Sequence, residues 1–166
     1  NEIESIQQIL FKVQQVALDK EVIIVDDCST DGSREFLQGL STSREAFHLD
    51  QVGETIKTEN LKVVFQERNQ GKGAALNRGF GLVGGDVVIV QDADLEYDPQ
   101  EYHKLLQPIE DGFADVVYGS RFMGGSPHRT LFFWHSIGNK LLTFFSNVFS
   151  NLNLTDMETC YKMIKT

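Results

Sequence analysis

Val87-Val88-Ile89-Val90 is an uninterrupted apolar run that stops abruptly at Gln91-Asp92-Ala93-Asp94-Leu95-Glu96. Four such residues, three of them valine, suit a strand buried on both faces, as strands are in parallel sheets covered by helices. The polar residues that follow then lie at the carboxyl end of the strand, where open α/β sheets bind ligands. If the backbone stays extended, side chains two apart share a face. Asp92, Asp94 and Glu96 then converge while Ala93 points away. Hard divalent cations such as Mg²⁺ or Mn²⁺ prefer oxygen donors of this kind. The alternative is a solvated strand end that hands over to a turn, since Asp98-Pro99 is a good N-cap and first helical residue.

The remainder of the chain supports a sheet of this type. Ile3 to Leu18 carry apolar residues at a helical period, and Glu21 to Asp26 form an apolar strand ending in Asp26-Asp27. Thr30-Asp31-Gly32-Ser33 is turn and cap chemistry before a short helix to about Leu40. Ser41 to Asn60 is polar without clear periodicity, a surface excursion of hairpin or helix. Strands are then expected at 61–65, 86–90 and 115–118, and helices at 73–82 and 99–110. Strands alternating with helices predict an α/β fold, a mostly parallel central sheet with helices on both faces, in a single domain over residues 1–166. After Gly119 the alternation stops, and residues 130–152 read as a long amphipathic helix rich in Phe, Leu and Trp.

Composition narrows the partners. With 41% hydrophobic residues in 166 the chain fills a core, and its net charge of −9 argues against nucleic acid, whose phosphates are bound mainly through clustered Lys and Arg. Cys28 and Cys160 form no Cys-x-x-Cys pattern, so reduced thiols in a cytoplasmic compartment are the default. No apolar run approaches the roughly 18 to 20 residues that span a bilayer. The sequon Asn153-Leu154-Thr155 is too common by chance to carry weight.

Several polar clusters follow predicted strands, which in a parallel sheet gathers them along one edge. They are Asp26-Asp27, Asn69-Gln70-Gly71-Lys72-Gly73, the Asp92 group and Ser120-Arg121. Gly71 and Gly73 allow close backbone approach, and Lys72 at a helix start favours an anion. The same turn is equally readable as an ordinary loop, and it fails the Walker pattern. Asp26 and Asp27 either accept hydrogen bonds from a base or ribose or cap the next helix.

Taken in order, Val25 to Ser33, Asn69 to Asn77, Asp86 to Pro99, Gly119-Ser120-Arg121-Phe122 and Thr155 to Lys162 resemble the signature blocks of family 2 glycosyltransferases. Among these, the chain resembles most the branch acting on polyprenyl (dolichyl) phosphates with mannose or glucose. The resemblance implies a GT-A (Rossmann-like) fold, a nucleotide-sugar donor such as GDP-mannose or UDP-glucose, and Mg²⁺ or Mn²⁺. It places Asp26, Asp27, Asn69, Gly71, Lys72 and Asp92 with the nucleotide sugar, and Asp94 with Glu96 on the metal. Arg121 and Arg129 are placed on phosphates of donor or lipid acceptor, a task that suits the bidentate guanidinium.

The same resemblance implies inversion through a single in-line displacement, catalysed by Asp94, Arg121 and Asp156. A lipid phosphate is already ionised, whereas a sugar hydroxyl acceptor requires a carboxylate base. Asp156 and Glu158 are the candidates for that base, or else they cap a final helix over Thr159 to Ile164. The expected site of action is the cytoplasm or the cytoplasmic face of a membrane, with a polyprenyl phosphate as acceptor. Family members usually open with an apolar strand and a Pro-x-Tyr-Asn-Glu-like turn. Asn1-Glu2 resembles the tail of that turn, so the chain is expected to be a fragment.

Two further readings stay open. In the aromatic segment, Leu131, Trp134, Leu141, Phe145, Val148 and Phe149 fit a core-facing stripe, and the competing reading is a surface helix that touches bilayer or lipid acceptor. Rival functions are a receiver-type signalling domain, a nucleotidyltransferase and a noncatalytic sugar-nucleotide binder. The first lacks the later Thr/Ser and Lys-Pro elements, the second its Gly-rich, Arg-containing opening loop.

Overall fold

A computed structural model of the chain describes residues 1–121 and 133–166, which form two units. The first contains Asn1–Val88, Asp92–Tyr102 and Thr166; the second contains Ile89–Gln91 and His103–Lys165.

In the first unit, α1 (Ile6–Gln15) leads into β1 (Val22–Asp26), α2 (Ser33–Thr42), the pair β2 (Ala46–Leu49) and β3 (Glu54–Lys57), β4 (Leu61–Phe65), α3 (Lys72–Phe80) and the first two residues of β5 (Val87–Ile89). Helix α1 is shorter than the apolar period predicts. Its amino end is tied elsewhere: Glu2 N donates to Ser33 Oγ (3.1 Å) and Ile3 N to Asp31 Oδ2 (3.0 Å). At its other end Val16 turns extended, with ψ 125°. Strands β1 and β4 pair in parallel, with Val22 opposite Leu61 and Asp26 opposite Phe65. The polar excursion is an antiparallel hairpin, with Ala46 opposite Lys57 and Leu49 opposite Glu54, closed by Gly53 at φ +73°.

The core of this unit joins Ile6 and Leu10 of α1, Leu37 and Leu40 of α2, and Leu49 and Ile56 of the hairpin. Phe36 and Phe47 meet edge to face at 5.6 Å, which adds a directional aromatic contact to the burial. Because α2 and α3 pack on β4 and β1, the loops that leave the two parallel strands emerge side by side at their carboxyl ends.

The second unit takes α4 (Tyr102–Glu110) from His103 onward, then β6 (Val116–Tyr118), α5 (Phe133–Ser150) and β7 (Lys162–Lys165). Strands β6 and β7 are antiparallel, with Val116 opposite Ile164 and Tyr118 opposite Lys162. Val90 N donates to Lys162 O, so residues 89–91 continue this sheet. The expected final helix over Thr159 to Ile164 is therefore corrected to an irregular run, 159–161, that leads into strand β7. Its residues bury with a period of two, Tyr161 and Met163 inward and Lys162 and Ile164 less so, which no helix reproduces. Gly119 is required beside it, because an added Cβ would come within 3.0 Å of Tyr161 Cβ.

Helix α5 also departs from the core-facing reading. Trp134, Leu141, Phe145, Val148 and Phe149 are all exposed, Phe149 by 86%, and Leu131 lies outside the described residues. The polar side chains face inward instead. Thr143 is 5% exposed and accepts from Met157 N (3.2 Å), while Asn147 exchanges two hydrogen bonds with the Leu154 backbone (2.8 and 2.9 Å). Backbone groups of 154–157 needed partners, and hydroxyl and amide side chains on α5 supply them, which orients the apolar face outward. No helix among the described residues is long and apolar enough to cross a membrane.

Candidate active site

The carboxyl end of β1 carries Asp26 and Asp27 on successive positions, so they point to opposite sides. Asp26 turns inward. Its Oδ2 accepts from Arg34 Nη1 at 2.6 Å and its Oδ1 from Ser29 N at 3.2 Å, and its side chain is 1% exposed. Arg34 also donates to Gln66 O (3.1 Å) and lies 5.1 Å over the Phe65 ring. Asp26 is thus the anchor of a buried ion pair between β1 and α2. Arg34 did not stand out in the sequence. The available signal was an Arg on the first turn of the helix that follows the Asp pair.

Asp27 turns toward the loop after β4. Gln66 Nε2 (2.7 Å) and Gln70 N (2.8 Å) donate to Oδ1, Gly71 N (2.7 Å) donates to Oδ2, and Asn69 Nδ2 donates to the Asp27 carbonyl (3.2 Å). The structure therefore brings Asp27, Asn69 and Gly71 together as one hydrogen-bonded group. Gly71 sits at φ +86°, ψ 163°, a conformation essentially confined to glycine, and an added Cβ would meet open space. Gly71→Ala is accordingly expected to destabilise the protein by about 1 to 3 kcal/mol through backbone strain alone. Thermal melting beside Gly73→Ala, whose backbone carries no positive φ, checks this.

Lys72 opens α3, and its Nζ donates to Asp92 Oδ2 at 2.6 Å. The expected face of three carboxylates does not form. Strand β5 ends at Ile89, and residues 93–97 bend, with Leu95 in the left-handed region at φ +58°. Asp94 Oδ1 accepts from Glu96 N (3.1 Å), a local turn that competes with an extended ladder. Among the described residues no three His, Cys, Asp or Glu side chains gather as a metal-binding group. Asp94 and Glu96 are nevertheless exposed oxygen donors on this turn. That donor chemistry fits Mg²⁺, which takes one or two carboxylates and completes its shell with water and substrate phosphates.

In the second unit, Arg121 and Asp156 form a bidentate pair. Nε donates to Oδ2 at 2.7 Å, Nη2 to Oδ1 at 2.9 Å, and the Arg121 backbone N to Oδ2 at 3.1 Å. The Asp156 side chain is 0% exposed and that of Arg121 25%. Burial pushes the Asp156 carboxyl up, but the hydrogen bonds and charge of Arg121 outweigh it and hold the carboxyl below the ordinary value. Three bonds to one residue make Asp156 the anchor of Arg121. Asn139 of α5, with its amide oxygen toward Arg121, accepts from Nη2 (3.2 Å) and donates to Glu158. Asn139 escaped the sequence analysis because it lies in an apolar segment. Arg129 lies outside the described residues.

Comparison with known proteins identifies the family. The family described as Glycosyl transferase family 2 matches residues 1–166. The chain is 29% identical over 142 residues to a dolichol-phosphate mannosyltransferase of Pyrococcus furiosus, covering 84% of this chain and 36% of that protein. It is 32% identical over 121 residues to an undecaprenyl-phosphate 4-deoxy-4-formamido-L-arabinose transferase of Proteus mirabilis, covering 70% and 33%. A low-salt glycan biosynthesis hexosyltransferase of Haloferax volcanii is 37% identical over 102 residues, covering 61% and 25%. The chain thus spans between a quarter and just over a third of the length of these curated relatives. With a match over its whole length, and with an acidic cluster after each of β1 and β5, the chain belongs to the family 2 glycosyltransferases and its α/β architecture is their GT-A fold.

Proposed function

We propose that the chain is part of an inverting hexosyltransferase that moves a sugar from a nucleotide-sugar donor, GDP-mannose or UDP-glucose, to a polyprenyl phosphate at the cytoplasmic face of a membrane. The observation that carries this reading is the second unit's pairing of an oriented arginine with an outward apolar helix. Asp156 fixes the guanidinium plane of Arg121, and Asn139 links it to α5, whose exposed face carries Trp134, Leu141, Phe145 and Phe149. A guanidinium suits phosphate, and exposed apolar surface of this size suits lipid. The Pyrococcus and Proteus relatives are named for dolichol-phosphate and undecaprenyl-phosphate, which supports the same acceptor class.

In the reaction, an acceptor phosphate oxygen attacks the anomeric carbon in line as the bond to the nucleoside diphosphate breaks, inverting that centre. The attacking oxygen is already ionised near neutral pH, so the commitment of Asp156 to Arg121 costs the reaction no base. Negative charge grows on the departing diphosphate, and Lys72, exchanging Asp92 for a phosphate oxygen, stabilises it there. In the second unit, the guanidinium of Arg121 suits an acceptor phosphate. Mg²⁺ or Mn²⁺, when bound by Asp94 and Glu96, would supply further charge stabilisation on the diphosphate.

Calorimetric titration of GDP, UDP, GDP-mannose and UDP-glucose, with and without Mn²⁺, tests the donor half. Binding of one nucleotide class is expected, strengthened by Mn²⁺ and weakened at least ~10-fold, ~1.4 kcal/mol, in Asp94→Asn. A folded chain that binds none of the four overturns the reading. Transfer to a short polyprenyl phosphate in liposomes, against a free sugar acceptor, then tests the acceptor half.

A further inference from the structure

We infer that Thr159 is a positioning residue for Arg121, acting through the backbone of residues 119–121. Its bearing on the reaction rests on the reading of Arg121 as the partner of an acceptor phosphate.

Strand β6 ends at Tyr118, and the run that follows is held by the segment leading into β7. Gly119 N donates to Tyr161 O (2.8 Å), Thr159 Oγ1 donates a short hydrogen bond to Gly119 O, and Arg121 N donates to Asp156 Oδ2 (3.1 Å). Thr159 is 0% exposed, so its hydroxyl is shut off from solvent and its single O–H donor goes to that carbonyl. The β-branch restricts χ1, which fixes the direction in which the donor points.

The run has little room to shift. A Cβ added at Gly119 would lie 3.0 Å from Tyr161 Cβ and 3.4 Å from Leu105 Cδ2, so the backbone there already sits at close approach. Two buried side chains of one segment, Asp156 and Thr159, thus grip the same run at positions 121 and 119. The bidentate pair with Asp156 fixes the plane of the guanidinium. The Thr159 bond fixes where the main chain delivers it. A phosphate partner is sensitive to both, because a small misplacement of an orienting group is costly in catalysis.

Thr159→Val keeps the branched shape and removes the hydroxyl, whereas Thr159→Ser keeps the hydroxyl. Thermal melts show whether each variant is folded, and Thr159→Ala replaces Thr159→Val in the comparison if the latter is not. Spectra correlating ¹⁵N with ¹H on the full chain read the side-chain Nε–H of Arg121 without any ligand. In Thr159→Val this proton is expected to exchange with water at least about fivefold faster, and in Thr159→Ser to stay near the wild-type rate. A threonine that merely stabilises the fold would lower the melting temperature and leave the Arg121 Nε–H as it is. That result in a folded Thr159→Val protein overturns the inference.

A second arm titrates farnesyl phosphate beside farnesol. The phosphate is expected to bind about fivefold more weakly to Thr159→Val and to recover in Thr159→Ser, with farnesol unchanged throughout. Equal affinity of wild type and folded Thr159→Val for farnesyl phosphate also overturns the inference. Wild-type chain that binds farnesyl phosphate no better than farnesol defeats the acceptor reading alone, since the Arg121 signal is read without ligand.

Discussion

Arg121→Met is expected to produce the larger of two stability losses, about 3 kcal/mol or somewhat more, because it leaves the fully buried Asp156 carboxylate without its cation. The value sits at the low end of the range for broken buried pairs, since Arg121 itself is a quarter exposed. In a chain of this size that corresponds to a fall of roughly 6 to 12 °C in Tm. The pH dependence distinguishes this cause from a simple packing defect. In the wild type the Asp156 carboxyl lies below its ordinary value of 3.8, so its contribution is present above that pH and is lost as pH falls through the folded value. In Arg121→Met the cation and its two side-chain bonds are lost, so burial, opposed only by the backbone N–H groups of residues 121 and 158, raises the same carboxyl. Stability is then lost as pH rises through the raised value and is regained on acidification. Urea denaturation of both proteins at pH 7 and pH 5 should show the gap between them narrowing at pH 5. A gap that is equal at both values would rule out the unpaired carboxylate as its source. Arg121→Lys keeps the charge but not the two-pronged fork, and should recover only part of the loss.

Arg34→Met is the second. It strips the cation from Asp26, whose side chain is 1% exposed, and removes both the bond to Gln66 O and the contact over Phe65. A loss of about 3 kcal/mol is expected, again because the remaining charge is buried and unpaired. The double variant Asp26→Asn/Arg34→Met should be milder than the sum of its single changes by at least ~1 kcal/mol, since no charge is then left behind. Strict additivity in the double-mutant cycle would show that the pair contributes nothing as a pair.

These two ion pairs also mark where sequence reading stopped. Alternation of apolar runs with helical periods located β1, β4, β5 and β6, the helices between them, and the acidic or glycine-bearing clusters that follow the strands. That much follows from local physics: period, cap chemistry and the confinement of continuous apolar runs to buried strands. The hairpin between 46 and 57 was legible only as an excursion, because its alternation is short and its exposed face polar.

The carboxylate partners were not legible, because they are long-range. Asp27 takes its donors from residues 39 to 44 positions away, and Asp156 takes Arg121 from 35 positions away. No local rule told which of the several carboxylates in these clusters would be committed to a partner and which exposed. The helix of residues 133–150 shows the same division. Its amphipathic period was plain in the sequence, but which face turns inward depended on the backbone of 154–157 needing Thr143 and Asn147 as partners. The sequence by itself determined the α/β alternation, the positions of the acidic and glycine clusters and the family to which they belong. Only the tertiary structure decided which charges are neutralised in place and which surface is left apolar, since both are settled by groups that meet in space and not along the chain.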